Sequence, residues 1–174
     1  MKRLSRIAEA EVVCEFLKSE FYHPEYDRDR SRFEPLVYSP DLGDEMENAL
    51  RRALLFRRRG HMWRELPPDT QWWEMEFSPA EAEQVRIFPR AQWRAPAGGN
   101  FAVLHVAGQI RREMHSGQPG ALAAKIRAMS SLLQQEGAKS TILLIGLDEQ
   151  KPLTILEGNH RFVAALMLPP EIMF

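Results

Sequence analysis

Residues 153–166, Leu-Thr-Ile-Leu-Glu-Gly-Asn-His-Arg-Phe-Val-Ala-Ala-Leu, constrain this chain more than any other segment. Leu153–Leu156 is a short run suited to a strand, and Phe162, Ala165 and Leu166 recur at helical spacing. A strand therefore passes into a helix across Glu157, Gly158, Asn159, His160 and Arg161. A helix N-terminus carries unpaired N–H groups and partial positive charge, and Gly158 allows close backbone approach to a ligand. Cations in a first helical turn oppose the dipole, so His160 and Arg161 require a negative partner. Two partners fit: the neighbouring Glu157, in an ion pair that pins strand to helix, or a phosphate group from outside. Charge-assisted hydrogen bonds contribute about 1.5–3 kcal/mol each, so two arginine–phosphate bonds and helix N–H groups supply several kcal/mol.

Upstream, the pattern predicts helices at the amino terminus. Ser5 is placed to cap a helix running to about Glu20, with Ala8, Val12, Phe16 and Leu17 on one face. His23–Pro40, rich in Pro, Asp, Arg and Ser, reads as an irregular crossing. Asp44 marks the start of a second helix that Gly60 ends, with Met46, Ala49, Leu50, Ala53 and Leu54 as its buried stripe. Arg51, Arg52 and Arg57–Arg59 on that helix are either an anion-binding patch or a solvated face whose last-turn arginines complement the dipole. Gln71–Phe77 suits a strand, with Trp72 and Trp73 buried against the sheet or free to stack a base.

Ser78-Pro79-Ala80-Glu81 is a capping pattern, and Val85–Phe88 a candidate strand. Pro89–Asn100, containing Trp93, Arg94, Gly98 and Gly99, reads as a loop. Val103, Val106, Ala107, Ile110 and Met114 mark one helix, and Leu122, Ile126, Met129 and Leu133 mark another that stops at Gly137. Thr141–Ile145 is almost wholly apolar, as expected of a strand buried on both faces. Asp148–Pro152 turns into the strand at Leu153, and Pro169-Pro170 terminates the final helix.

Composition narrows the field. The 174 residues carry 23 Lys+Arg against 24 Asp+Glu, a balance that disfavours a general nucleic-acid coat. Cys14, the single cysteine, excludes an internal disulfide and a Cys-based zinc cluster and fits a reducing cytoplasm. His105 and His115 lack the spacing of zinc ligands. The first residues show no signal-peptide pattern, and no stretch approaches the roughly 18 apolar residues that span a bilayer, so a cytoplasmic protein without membrane partners is expected.

The run from Ile155 to Leu166 resembles the signature of the ParB/sulfiredoxin superfamily: a strand ending in an acidic or small residue, then Gly, a variable residue, His or Arg, Arg, and an Ala-rich helix. The helix at 121–136 and strand at 141–146 stand where that fold has them, so the resemblance covers residues 85–168. It implies nucleotide binding through the turn at 158–161, as in sulfiredoxin with ATP, partition ParB proteins with CTP and a free-serine kinase with ADP. Asn159 replaces the essential Cys of sulfiredoxin, so sulfinic acid repair is not expected. Partition proteins have two arginines where this chain has His160-Arg161 and continue into helix-turn-helix modules, for which the 13 residues after Arg161 are too few. The Asp-Gly-His-His-Arg of the serine kinase is more similar to Glu157–Arg161, although its upstream catalytic Glu has no unambiguous counterpart. The base is left among Glu157, Glu113 and none. Glu47–Arg51 and Leu66–Trp72 resemble an amino-terminal extension of uncharacterised superfamily members, which implies no activity.

The expected fold is α+β: a mainly helical extension at 1–77 packed on a ParB/sulfiredoxin-like domain at 78–174, a small mixed sheet with flanking helices. The resemblance implies an ATP- or ADP-dependent phosphotransferase or nucleotide hydrolase acting on a small metabolite. Gly158, Asn159, His160 and Arg161 then hold the phosphates, Glu157, His160 and Arg161 are catalytic, and Glu157 holds magnesium. Trp93 and Arg94 either close over the nucleotide or serve packing and surface charge. The alternative is a nucleotide-gated protein that binds DNA or a protein partner through the Arg51–Arg59 face; nucleic acid is the less favoured partner.

Overall fold

In the computed structural model, which describes residues 2–136, 141–148 and 151–169, Ser5 does not cap a helix. It lies in strand β1 (Lys2–Ile7), antiparallel to β2 (Trp72–Glu76), and its hydroxyl donates to Glu74 Oε2 at 3.2 Å. A strand partner 69 residues away decides this segment, and local spacing carries no trace of it. Helix α1 (Glu9–Glu20) starts after Ala8 without a side-chain cap; Glu9 and Glu11 in its first turn complement the dipole. His23–Pro40 is not irregular throughout. It contains a 3-10 turn at Pro24–Tyr26 and helix α2 (Arg30–Tyr38), which tolerates Pro35 inside it and buries Val37. The chain divides into two compact units, Lys2–Glu76 and Phe77–Phe174.

Asp44 caps helix α3 (Glu45–Arg64), accepting from the N–H groups of Met46 at 2.7 Å and Glu47 at 3.1 Å. The helix does not end at Gly60. A Cβ there would lie 2.7 Å from the Phe56 ring, so the glycine makes room for a side chain one turn back. The expected buried stripe is also corrected. Only Leu54 of it is buried; Ala49 and Ala53 are exposed, as are Met46 and Leu50 at 71% and 40%. Arg51, Leu54, Leu55, Met62 and Trp63 form the inner face instead.

Arg51 is completely buried, and its two Nη groups are matched although its Nε has no partner among the described residues. Its guanidinium donates to Glu47 Oε2 at 2.8 Å, Asn48 Oδ1 at 2.6 Å, Leu36 O at 3.0 Å and Asp41 O at 2.7 Å. The Glu47-Asn48-x-x-Arg51 pattern thereby fastens the segment after α2 to α3. Neither expectation for Arg57–Arg59 holds as stated, because the helix continues past them and acidic groups meet them. Arg57 pairs with Asp29 at 2.6 Å, Arg59 with Glu20 at 2.9 Å, and Arg58 with Glu20 and Glu25. Burial works to raise the Glu20 carboxyl, but the hydrogen bonds and charges of Arg59 and Arg58 outweigh it and hold Glu20 below the usual carboxylate range.

In the second unit, β5 (Leu153–Glu157) is the middle strand, parallel to β3 (Val85–Ile87) and antiparallel to β4 (Leu143–Ile145). As an edge strand β4 is half-buried along its length, not buried on both faces. Pro89–Asn100 is not a loop: Ala91–Ala97 forms helix α4, whose Pro96 sits in the last turn and whose end Gly98 caps at φ 52°. Helix α5 (Val103–His115) buries Val103, Val106, Ala107 and Ile110 as its spacing predicts. Helix α6 (Ala121–Glu136) contributes Ala123 and Ile126 to the same core. Its expected stop at Gly137 lies outside the described residues. Helix α7 (Asn159–Ala165) ends four residues before Pro169, and Arg111 donates to Leu166 O at 2.6 Å beyond that end. Pro170 lies outside the described residues, as do Glu149 and Gln150 of the predicted turn. The architecture is mixed α+β, with a two-stranded and a three-stranded sheet among the described residues. No helix among them is long and apolar enough to cross a membrane.

Removing the buried guanidinium tests the fastening role of Arg51. Arg51→Met strands Glu47 and two carbonyls, so urea denaturation should show a loss of about 3–5 kcal/mol. Arg52→Met, which breaks a half-exposed pair with Glu9, should cost less than about 1 kcal/mol.

Candidate functional site

The β5–α7 junction is built around Gly158. Its φ of 96° lies in the left-handed region, and a Cβ would stand 2.8 Å from Ile142 Cγ2. Both conditions exclude a side chain. The glycine is buried, its carbonyl accepts the first helical bond from Phe162 N at 2.8 Å, and Ile142 closes one side of the turn. Phe162 anchors the helix start by meeting Phe77 edge-on at 5.5 Å.

Of the two partners open to Arg161, the structure contains the internal one. Arg161 Nη2 lies 2.6 Å from Glu157 Oε2, both side chains being largely covered, so the pair spans the turn from strand end to first helical turn. His160 is differently placed. Its ring packs on Trp93 with centroids 5.1 Å apart, and its Nε2 is 3.3 Å from Gln92 Nε2. Burial, then the positive charges of Lys125 and Arg90, push the imidazole down to about 4, so it is neutral at pH 7. The site thus collects cationic groups from three places: the segment before α4, α6 and α7.

Two buried polar atoms at this junction have no hydrogen-bond partner among the described residues: Trp93 Nε1 and Asn159 Oδ1. Trp93 is fully buried on α4, so it underlies His160 instead of lying in a mobile loop, whereas Arg94 is exposed. Asn159 is 5% exposed. Gln92, Arg90 and Lys125 were not legible as site residues. For Arg90 and Gln92 the signal is the Trp93 neighbourhood, which the Pro96 and Gly98-Gly99 pattern disguises as loop; Lys125, on α6, has none.

The other candidates have structural employment. Glu113 Oε1 accepts from Gly120 N at 2.7 Å and ties α5 to the start of α6. Cys14 is buried and donates to Val37 O at 3.2 Å, and burial pushes its thiol up, away from reactive thiolate character. His115 Nδ1 lies 2.6 Å from Arg111 O. Among the described residues no group of three or more His, Cys, Asp or Glu is placed to hold a metal. Glu157, as a single carboxylate, suits a metal that arrives on phosphate oxygens. Away from the junction, in the first unit, Glu9, Trp63, Leu66, Pro67, Thr70 and Trp72 line a cleft. Glu9 there already accepts from Trp63 Nε1 at 2.8 Å and pairs with Arg52 at 2.7 Å, while Trp63 stacks on Trp72 at 5.6 Å.

No family model, curated protein or solved structure matches the chain.

The suppressed basicity of His160 has a thermodynamic consequence. Its folded value of about 4 lies below the ordinary 6.5, so the unfolded chain binds the proton more readily and folding loses stability as pH falls from about 6.5 through 4. Urea midpoints measured between pH 7 and 4 should show His160→Gln losing roughly 1–3 kcal/mol less over that window than the unaltered chain, after allowance for partial solvent screening.

Proposed function

We propose that the β5–α7 turn binds the phosphates of a nucleotide and that the chain transfers or releases a phosphoryl group, with a small hydroxylated metabolite as acceptor. One observation carries this reading: His160 and Arg161 stand together in the first turn of α7, and the buried donor Trp93 Nε1 beneath the His160 ring has no hydrogen-bond partner among the described residues. Donors gathered at a helix start favour an anion there. The resemblance of Glu157–Arg161 to the ParB/sulfiredoxin signature, and to its serine-kinase type above others, agrees with that chemistry.

On this reading Arg161 exchanges partners. In the resting chain it is held by Glu157; with ligand bound it turns to a phosphate oxygen, which frees Glu157 for magnesium carried by the nucleotide or for the acceptor's hydroxyl proton. His160, neutral at rest, becomes a better proton acceptor once an anion offsets Lys125 and Arg90. Gly158 and Asn159 supply the turn's backbone. Trp93 supports His160 from below, and Arg94, exposed on α4, is available to the outer part of the ligand.

A second reading rests on the same ion pair: Glu157–Arg161 is a permanent clamp that pins β5 to α7. Gating of a DNA or protein partner through Arg51–Arg59 draws less support, because those side chains are engaged by carboxylates and carbonyls of their own unit.

Calorimetric titration with magnesium and ATP, ADP, CTP or GTP separates the two readings. Phosphate binding predicts that Arg161→Ala lowers affinity by about tenfold or more while the chain stays folded. Glu157→Gln, which keeps Arg161 in place, should cost less affinity than Arg161→Ala does. If neither the unaltered chain nor Glu157→Gln binds any of the four, the turn is a clamp and the proposal fails. Where a nucleotide binds, phosphate release or transfer across amino acids and sugars distinguishes an enzyme from a nucleotide-gated protein.

A further inference from the structure

Among the described residues, the groups that touch or act on the His160 ring present donors to it. The indole of Trp93 lies against the ring with centroids 5.1 Å apart, and its one polar atom is the donor Nε1. Arg90 and Lys125, whose charges act on the imidazole, have no acceptor in their side chains. The polar contact within hydrogen-bond distance is Gln92 Nε2, 3.3 Å from His160 Nε2. An amide nitrogen donates and does not accept, so this contact is a hydrogen bond only when the imidazole Nε2 is bare. The ring is neutral at pH 7, since burial and the two cations push it down to about 4. A neutral imidazole holds one proton, and with Nε2 bare that proton sits on Nδ1.

We propose that Gln92 fixes His160 in the Nδ1–H tautomer, so that the ring meets a ligand as a hydrogen-bond donor. Nδ1 is open to one. It has no hydrogen-bond partner among the described residues, and it is not among their buried unpartnered polar atoms, so it reaches solvent. The ligand chemistry that fits is an oxygen with a lone pair; that this oxygen belongs to a phosphate rests on the phosphate binding proposed for the β5–α7 turn. A bare Nδ1 would oppose such an oxygen, lone pair against lone pair, so the tautomer decides whether His160 aids or hinders an anion. Any proton the ring accepts must go to Nε2 and displaces the Gln92 bond. Gln92, exposed on α4, is thereby a positioning residue that acts through the imidazole. Turning its amide over would aim Oε1 at Nε2 and demand the opposite tautomer, so amide and imidazole are set together.

Long-range proton–nitrogen correlation spectra of the nitrogen-labelled full chain at pH 7 read the tautomer directly, with His160→Gln identifying the His160 signals among the five histidines. The unaltered chain should show Nδ1 protonated and Nε2 bare. Gln92→Leu removes the donor and should let the proton redistribute toward Nε2, the position a neutral imidazole in water prefers. Gln92→Glu offers only an acceptor and should place a proton on Nε2. A ring protonated on Nε2 in the unaltered chain overturns the proposal, and so does an Nε2 that stays bare in either variant. With magnesium and ATP added, Nδ1 should stay protonated while its signal moves; loss of the Nδ1 proton on binding overturns the donor role. A tautomer that follows Gln92 in a chain that binds no nucleotide upholds the part given to Gln92 and overturns the phosphate reading alone.

Discussion

A chain that leaves the middle strand of a sheet and enters a helix within one residue must turn its backbone sharply, and Gly158 does so at a φ of 96° with Ile142 against it. The position of everything around the junction follows from that turn. Because β5 is flanked by β3 and β4, its carboxyl end is fixed on both sides, and the first residues of α7 inherit that fixity. Glu157 and Arg161 fall four residues apart across the turn, close enough to pair at 2.6 Å. His160 is set on Trp93, whose own burial on α4 depends on the core it shares with Ile155, Val163 and Ile110. A side chain at position 158 would therefore disturb the sheet edge, the helix start and the ion pair together.

Charge is managed differently in the two units. In the first, cations are met by groups from other elements and from their own helix: Glu20 and Glu25 for Arg58, Asp29 for Arg57, and for Arg51 the carboxylate of Glu47 with the carbonyls of Leu36 in α2 and Asp41 beyond it. These contacts convert a helix that reads as a basic patch into a structural hub. At the β5–α7 junction Glu157 answers Arg161, and burial, with the charges of Lys125 and Arg90 added, holds the His160 imidazole below its ordinary range.

What could be read from the sequence was what local spacing controls. The helices at 103–115 and 121–136, the strand at 153–157 and the Asp44 cap all form where side-chain periodicity and capping chemistry place them. The failures have two causes. At Ser5 a distant partner, Glu74, overrides a local rule, whereas Gly60 and Pro96 are helix breakers carried inside helices, Gly60 because the Phe56 ring one turn back occupies the space a Cβ would take. The α3 stripe is the most instructive case. Apolar periodicity predicts that Met46, Ala49, Leu50 and Ala53 are buried, but the burial of Arg51 turns the opposite face inward and leaves them exposed, and no single-residue preference announces that an arginine will be the core residue. At the junction, Glu157–Arg161 was legible as a pair from its spacing alone, whereas Gln92, Arg90 and Lys125 come from elements whose approach is set by packing.

The Glu157–Arg161 pair also bears on which anion the junction could select. Exchanging one carboxylate for one phosphate oxygen on Arg161 leaves the number of charge-assisted bonds unchanged, so that exchange alone offers little net free energy. A monovalent anion would gain mainly from Lys125 and Arg90, and part of that gain is screened by solvent at the rim. An anion with several charges, such as a nucleotide's polyphosphate, can displace Glu157 and still answer the remaining cations at the same time. If the proposed anion site exists, the internal ion pair would act as a threshold against weak anions, and the feature that makes the turn resemble a simple clamp would be the one that gives it selectivity.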